Sequence, residues 1–116
     1  MRKLTAHIHP GLPESLQIGV QFSGDTDQYE PVSVNGMNIP ALVFQEGPIQ
    51  LPRHVNGWTN EALIAVLVDR INRLNVGDYR CRENSCAITH LEEALHWLHA
   101  RTTARQQRGV EGTKQE

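Results

Sequence analysis

Residues 58–98 read WTNEALIAVLVDRINRLNVGDYRCRENSCAITHLEEALHWL, and the spacing of their apolar side chains decides the second half of the fold. Leu63, Leu67, Ile71 and Leu74 recur every three or four residues. Ile64 and Val68 widen that stripe to the breadth of a core-facing helix. Thr59 is the expected N-cap, and Trp58 before it is set to pack on Leu63 as a hydrophobic staple. Residues 75–78 break the helix, with Gly77 as the left-handed residue. A second helix starts between Cys81 and Ser85. Ile88, Leu91, Leu95, Leu98 and Thr102 then alternate spacings of three and four, the seam of a helix that packs on another helix. It ends near Gln107, because Gly109 follows. His90 and Trp97 fall outside this seam, which points to cover on a second face from another subunit.

Upstream of this stretch the period changes to two. Leu16, Ile18, Val20 and Phe22 alternate with polar or small residues, the pattern of a half-buried strand over residues 16–22. Val32 and Val34 lead into Asn35-Gly36, a strong two-residue hairpin signal, because both positions tolerate positive φ. Such a loop sets Val34 against Met37 and Val32 against Ile39. Pro40 interrupts the returning strand and makes it an edge or a bulge. The strand resumes to Phe44, residues 46–48 turn it, and residues 49–51 form a last short strand. The fold class is α+β: a small N-terminal antiparallel sheet of three or four strands, then a C-terminal two-helix hairpin. Residues 1–14, broken by Pro10, Gly11 and Pro13, read as a loosely ordered arm. Residues 15–116 form one domain, with the sheet over about 15–52, the hairpin over about 59–108 and a tail over 109–116.

Composition narrows the function. The chain has 116 residues, of which 39% are hydrophobic and 21% charged. That length permits one modest core, so burial of further surface in an oligomer is expected. No apolar run approaches the roughly 18 residues that cross a bilayer. MRKLTAHIHPGL has a basic start and no apolar centre, so it is not a secretory signal. The expectation is a soluble intracellular protein. Net charge is −2, far from the blanket basicity of a protein that coats nucleic acid. Cys81 and Cys86 match neither a CxxC pair nor a zinc knuckle. Cys86, His90, His96 and His99 lack an evident complete ligand set and second shell, so two reduced thiols and no metal are expected.

No GxGxxG, Walker loop, HExxH or nucleophile elbow occurs. Glu92 and Glu93 are adjacent on a helix and point about 100° apart, which prevents paired acid–base work. None of the six histidines has an evident nucleophile beside it, and His7 and His9 are expected to be solvated. No catalytic residue and no cofactor is expected. What remains suits phosphate and a flat base. Arg101, Arg105 and Arg108 recur at four and three residues on one side of a helix end. Gly109, Gly112 and Thr113 follow as backbone that can approach a ligand, with a hydroxyl to donate. Asn84 offers a donor and an acceptor for a base or ribose edge. Each has a plainer alternative. The arginines suit the helix dipole as a solvated end, Asn84 can be an N-cap, and the glycines can be a chain leaving a helix.

FQEGPI (residues 44–49), VNGWTNEALIAVLVDRINRLN (55–75), RENSCAITHLEEALHWL (82–98) and RTTARQQRGVEGT (101–113) together resemble the phage Thoeris anti-defence one family. Members act as sponges that bind cyclic ADP-ribose isomers without cleaving them. The carboxy-terminal hairpin also resembles that of the anti-CBASS two sponges, which bind cyclic di- and trinucleotides. The resemblance implies a non-enzymatic phage protein in the host cytoplasm, with a ligand pocket at a dimer interface. By that resemblance Asn84 is the pocket asparagine, and Arg101 and Arg105 are the pocket arginines. Leu74 stands where the family often has phenylalanine, which replaces a stacking face with an aliphatic wall.

The spacing agrees with a shared pocket. Asn84 and Arg101 are about 25 Å apart along one helix, so they cannot touch one small ligand within one chain. Antiparallel pairing of two such helices brings Asn84 of one subunit towards Arg101 of the other, in two equivalent pockets. Related hairpins assemble beyond dimers, which extends the expected homodimer to a trimer of dimers. A second site for cyclic oligonucleotides would then be lined by Arg108, Gly112 and Thr113. The alternative for RGVEGT is simple termination of the helix. The competing function is a small RNA-binding module that uses the same arginines. Balanced charge and scarce aromatics weigh against it, and against any nucleic-acid polymer as partner.

Overall fold

The computed structural model describes residues 2–24, 27–32, 38–47 and 54–109. Four strands, β1 (Arg2–Leu4), β2 (Gly19–Phe22), β3 (Gln28–Val32) and β4 (Leu42–Val43), precede two helices, α1 (Asn60–Leu74) and α2 (Arg82–Gln107). The strands form one antiparallel sheet in the order β1-β2-β3-β4. The sheet, with Val55–Trp58, makes one compact unit, and the hairpin from Thr59 onward belongs to a second. The fold is α+β, as the change of period from two to about 3.6 indicates.

Two expectations for the sheet are corrected. Residues 2–4, read as part of a loose arm, form the edge strand β1 and pair in register with Val20, Gln21 and Phe22. The loop behind them is tied down by one side chain. Gln17 Oε1 accepts from the His9 amide at 2.7 Å, and its Nε2 donates to the carbonyls of His9 and Leu12 at 3.0 and 2.9 Å. His7, expected in solvent, is exposed but its Nε2 bonds the Ile18 carbonyl at 2.7 Å. The second correction concerns Leu16. Residues 14–16 coil into a 3-10 turn after Pro13, so β2 begins at Gly19 and Leu16 points to solvent.

The β3–β4 pairing follows the predicted register. Tyr29 faces Leu42 and Gln28 faces Val43, the register that a two-residue connection at Asn35-Gly36 propagates down the ladder. Asn35-Gly36 itself and the strand expected at 49–51 lie outside the described residues. The ladder stops before the level of Pro40, which has no amide hydrogen to give it. Across the sheet Arg2, Phe22, Tyr29 and Phe44 form a row. Arg2 Cζ stands 5.6 Å from the Phe22 ring centre, Phe22 lies 5.4 Å from Tyr29, and Tyr29 lies 5.5 Å from Phe44. Such cross-strand pairs are the main stabilising unit of a sheet this small.

Beside the end of β4, Trp58 forms a parallel bridge with Phe44. Trp58 donates to the Val43 carbonyl and accepts from the Gln45 amide, both at 2.8 Å. The Asn56 amide side chain pairs with both backbone groups of Glu46, at 2.8 and 3.0 Å. Gly57 is required at this crossing, because a Cβ there would stand 2.5 Å from the Phe44 carbonyl.

The helices start and stop as their sequence dictates. Thr59 Oγ1 accepts from the Ala62 amide at 3.1 Å and caps α1, a contact that contributes about 1 kcal/mol. After Leu74 the chain passes Gly77 at φ +57 into a 3-10 turn (Gly77–Tyr79), then α2. Gly109 at φ +74 closes α2. Neither helix is long and apolar enough to cross a membrane. Among the described residues no apolar side chain is fully buried.

Candidate functional site

The candidate ligand-binding residues all fall in the hairpin unit. At its turn Asn75 holds both ends of the connection. Its Oδ1 accepts from the Cys81 amide at 3.0 Å, and its Nδ2 donates to Ser85 Oγ at 3.2 Å. Ser85 Oγ in turn donates to the Cys81 carbonyl at 3.3 Å. This small network fixes where α2 begins. The sequence marked Asn75 only as a helix breaker, although an asparagine just past a helix end is a recurrent stop signal.

The N-cap of α2 is Cys81, whose Sγ accepts from the Asn84 amide at 3.5 Å. Asn84 is therefore not the cap. It sits in the first turn, partly covered, with its Nδ2 3.5 Å from the Tyr79 carbonyl. That contact is long for a hydrogen bond, so most of the amide's donor and acceptor capacity is unspent. Leu74, the last residue of α1, is exposed at the same end of the hairpin, as are Val76 and Tyr79.

From Asn84 a stripe runs the length of α2. Ile88, Leu91, Leu95, Leu98, Thr102 and Arg105 follow at alternating spacings of four and three, and all are partly or fully covered. The predicted seam thus extends by one residue at each end, and both added residues are polar. Arg105 retains 6% of its exposure and is the single buried residue among those described. Its Nε is out of contact with water and makes no hydrogen bond, while the residue as a whole is engaged in a further interaction. Arg101 lies on the flank of the stripe and is exposed. Arg108 is the exposed C-cap residue, its amide bonding the carbonyls of Ala104 and Arg105 at 3.2 Å. Gly112 and Thr113 lie outside the described residues.

One helix therefore carries Asn84 at its first turn and Arg101 and Arg105 at its last turns. Leu74 ends α1 at the turn that leads into α2, and the length of α2 sets Asn84 about 25–31 Å from the two arginines. On a lateral face His90, Glu93 and Trp97 are exposed. His90 Nδ1 is 3.8 Å from Glu93, and the His96 and Trp97 rings meet edge to face at 5.8 Å. No group of three or more histidine, cysteine or acidic side chains gathers to hold a metal among the described residues. Cys81 and Cys86 are exposed free thiols.

Comparison with known proteins bears on this helix directly. The family model described as Acb2/Tad1, hairpin domain, matches residues 39–103. That match takes in Leu74, Asn84 and Arg101 and stops just short of Arg105. A curated protein, Thoeris anti-defense 1 of Bacillus phage SBSphiJ7, is 51% identical over 70 residues. The aligned stretch covers 60% of this chain and 49% of the relative, so the chain spans about half the length of the curated relative it matches.

Proposed function

The chain belongs to the Acb2/Tad1 hairpin family, and from that premise we propose that it is a phage anti-defence protein acting as a sponge in the host cytoplasm. It binds a cyclic ADP-ribose-type immune signal, glycocyclic ADP-ribose, and holds it without cleavage, so that Thoeris immunity is blocked. The observation that carries this reading is the α2 stripe, an apolar seam closed by an asparagine at one end and an arginine at the other. Arg101 and Arg105 take the phosphates through charge-assisted hydrogen bonds, and Asn84 reads a base or ribose edge. Leu74 gives the pocket an aliphatic wall.

The distance between Asn84 and the arginines supports a homodimer in which each pocket draws on both chains. The lack of a fully buried apolar side chain among the described residues supports assembly as well. Assembly to a trimer of dimers would gather the chain ends, where Arg108, Gly112 and Thr113 line a second site for cyclic di- or trinucleotides. That site is tested by measuring solution mass and cyclic trinucleotide binding on wild type and Arg108→Glu.

The primary test is a retention assay. Protein is incubated with the signal, freed of unbound ligand, heated, and the released material is analysed. Release of intact signal supports sequestration. A cleaved product would make the protein an enzyme, and no retention would overturn the signal-binding reading.

A further inference from the structure

None of the residues assigned to the signal, Leu74, Asn84, Arg101 and Arg105, has a flat face for its purine. The hairpin supplies one. Trp97 keeps 71% of its surface open to solvent, although tryptophan is highly buried on average. It lies outside the apolar seam of α2 and four residues before Arg101. Residues four apart stand one above the other on a helix, about 6 Å along the axis. Trp97 and Arg101 therefore leave the backbone on the same flank of α2.

The surroundings of this pair suit a flat anion. Ala94, three residues before Trp97, and Ala104, three beyond Arg101, continue the flank, and both are exposed. Their methyl groups raise no wall beside the indole. The His96 ring meets it edge to face at 5.8 Å and 72°, which limits its rotation while most of its surface stays open. From Ala94 to Gly109 the chain has no acidic residue, yet Arg101, Arg105 and Arg108 fall within that span. Glu93, the carboxylate before it, stands 3.8 Å from His90 Nδ1. A phosphate at Arg101 therefore meets no opposing charge on its own stretch of helix.

We propose that Trp97 is the stacking platform for the purine of the signal, with a phosphate held one turn further on by Arg101. The assignment rests on the signal-binding reading and adds to it the group that recognises the base. Base and phosphate of one nucleotide lie about a helical turn apart, so a single ligand spans both side chains. An indole face and an arginine are the two groups on which nucleotides dock without a shaped cavity. The cover that Trp97 calls for by lying outside the seam is then the ligand itself. Tyr79, also exposed, precedes α2 and stands at its opposite end from Arg101, so within one chain it does not share this site.

The full chain is titrated with glycocyclic ADP-ribose and followed by calorimetry and by the NMR resonances of the indole N–H groups. The chain has two tryptophans, and Trp97→Phe assigns their signals. The expected result is a saturable shift of the Trp97 indole, with nuclear Overhauser contacts from its ring to the purine ring protons. Trp97→Leu keeps apolar bulk without a π face and should bind about 5- to 150-fold more weakly. Trp97→Phe should lose less. Solution mass is measured on each variant; if Trp97→Leu changes assembly, the Overhauser contacts in the wild type decide. Wild type that binds the signal without contacts to Trp97, or with purine contacts to Tyr79 instead, overturns the platform and leaves the sponge reading standing. So does wild-type affinity in Trp97→Leu of unchanged mass. Absence of any binding by wild type overturns both.

Discussion

Asn84 and Arg105 occupy equivalent positions three heptads apart on one stripe of α2, and the apolar seam runs between them. Arg105 is buried whereas Arg101, one turn earlier and on the flank, is exposed. The two arginines therefore answer differently to removal. Arg101→Ala should lower signal affinity by about 10- to 150-fold, the loss of one charge-assisted contact of ~1.5–3 kcal/mol, with a smaller drop in melting temperature than Arg105→Ala. Arg105→Ala should lower affinity similarly and also destabilise the fold, because it empties a covered position on the seam. Calorimetric titration and thermal melts on both variants check this. Equal melting temperatures for the two variants would contradict the difference in burial.

The cap of α2 is a weak one. Thiol sulfur is a poor acceptor, and the Cys81 Sγ contact to the Asn84 amide is 3.5 Å long. Cys81 already has the extended backbone that a cap requires, with φ −151 and ψ 159. Cys81→Ser should therefore raise stability by about 0.5–1 kcal/mol, since a hydroxyl is among the best caps and serine fits the same backbone. Denaturant unfolding measures it. A loss of stability would show that the thiol serves a packing role instead.

How far the sequence spoke depended on whether a feature was periodic. Leu63 to Leu74 and Ile88 to Thr102 announced two helices, and Asn35-Gly36 announced a register that Tyr29 and Leu42 adopt two turns of the ladder away. The short strand β1 has three residues, too few for alternation to register, so its sequence resembles an arm. Leu16 fitted the period of two yet lies in a 3-10 turn, because Gln17 spends its side chain on the loop rather than on a strand face. At the site, Asn84 and Arg105 were legible as chemistry. Their membership of the seam was not, because a polar residue at either end of an apolar stripe looks like its termination. The covering of Arg105 depends on tertiary packing, which no spacing along α2 reveals.

Gly57 tests the parallel contact between the end of β4 and the segment at Trp58. A methyl group there would collide at 2.5 Å with the Phe44 carbonyl and at 2.7 Å with the Val43 carbonyl, backbone atoms that cannot rotate away. Gly57→Ala should break the bonds by which Trp58 joins Val43 and Gln45. The expected loss is about 2–3 kcal/mol, two backbone hydrogen bonds plus the displaced contact. Gly109→Ala is a useful comparison, since among the described residues nothing lies within 4 Å of a Cβ there and its left-handed φ is the strain that remains; its cost should be about 1 kcal/mol. A Gly57→Ala chain as stable as wild type would mean that the crossing is not held as described.

Asn75 gives the sharpest test of how the hairpin sets the site. Its two side-chain bonds, to the Cys81 amide and to Ser85 Oγ, are of opposite polarity. Asn75→Asp keeps the acceptor for Cys81 and, with the second oxygen, can still accept from the Ser85 hydroxyl if that hydroxyl turns away from the Cys81 carbonyl. Asn75→Ala loses both contacts, and Asn75→Leu loses them while retaining volume. The expected order of stability is wild type, then Asp, then Leu and Ala, with the last two lower than wild type by about 1–3 kcal/mol. Because these bonds position the first turn of α2, signal affinity should fall in the same order although Asn75 need not touch the ligand. Melts and titrations on the same samples separate the cases. If Asn75→Ala melts lower but binds as tightly as wild type, the turn stabilises the hairpin without orienting Asn84.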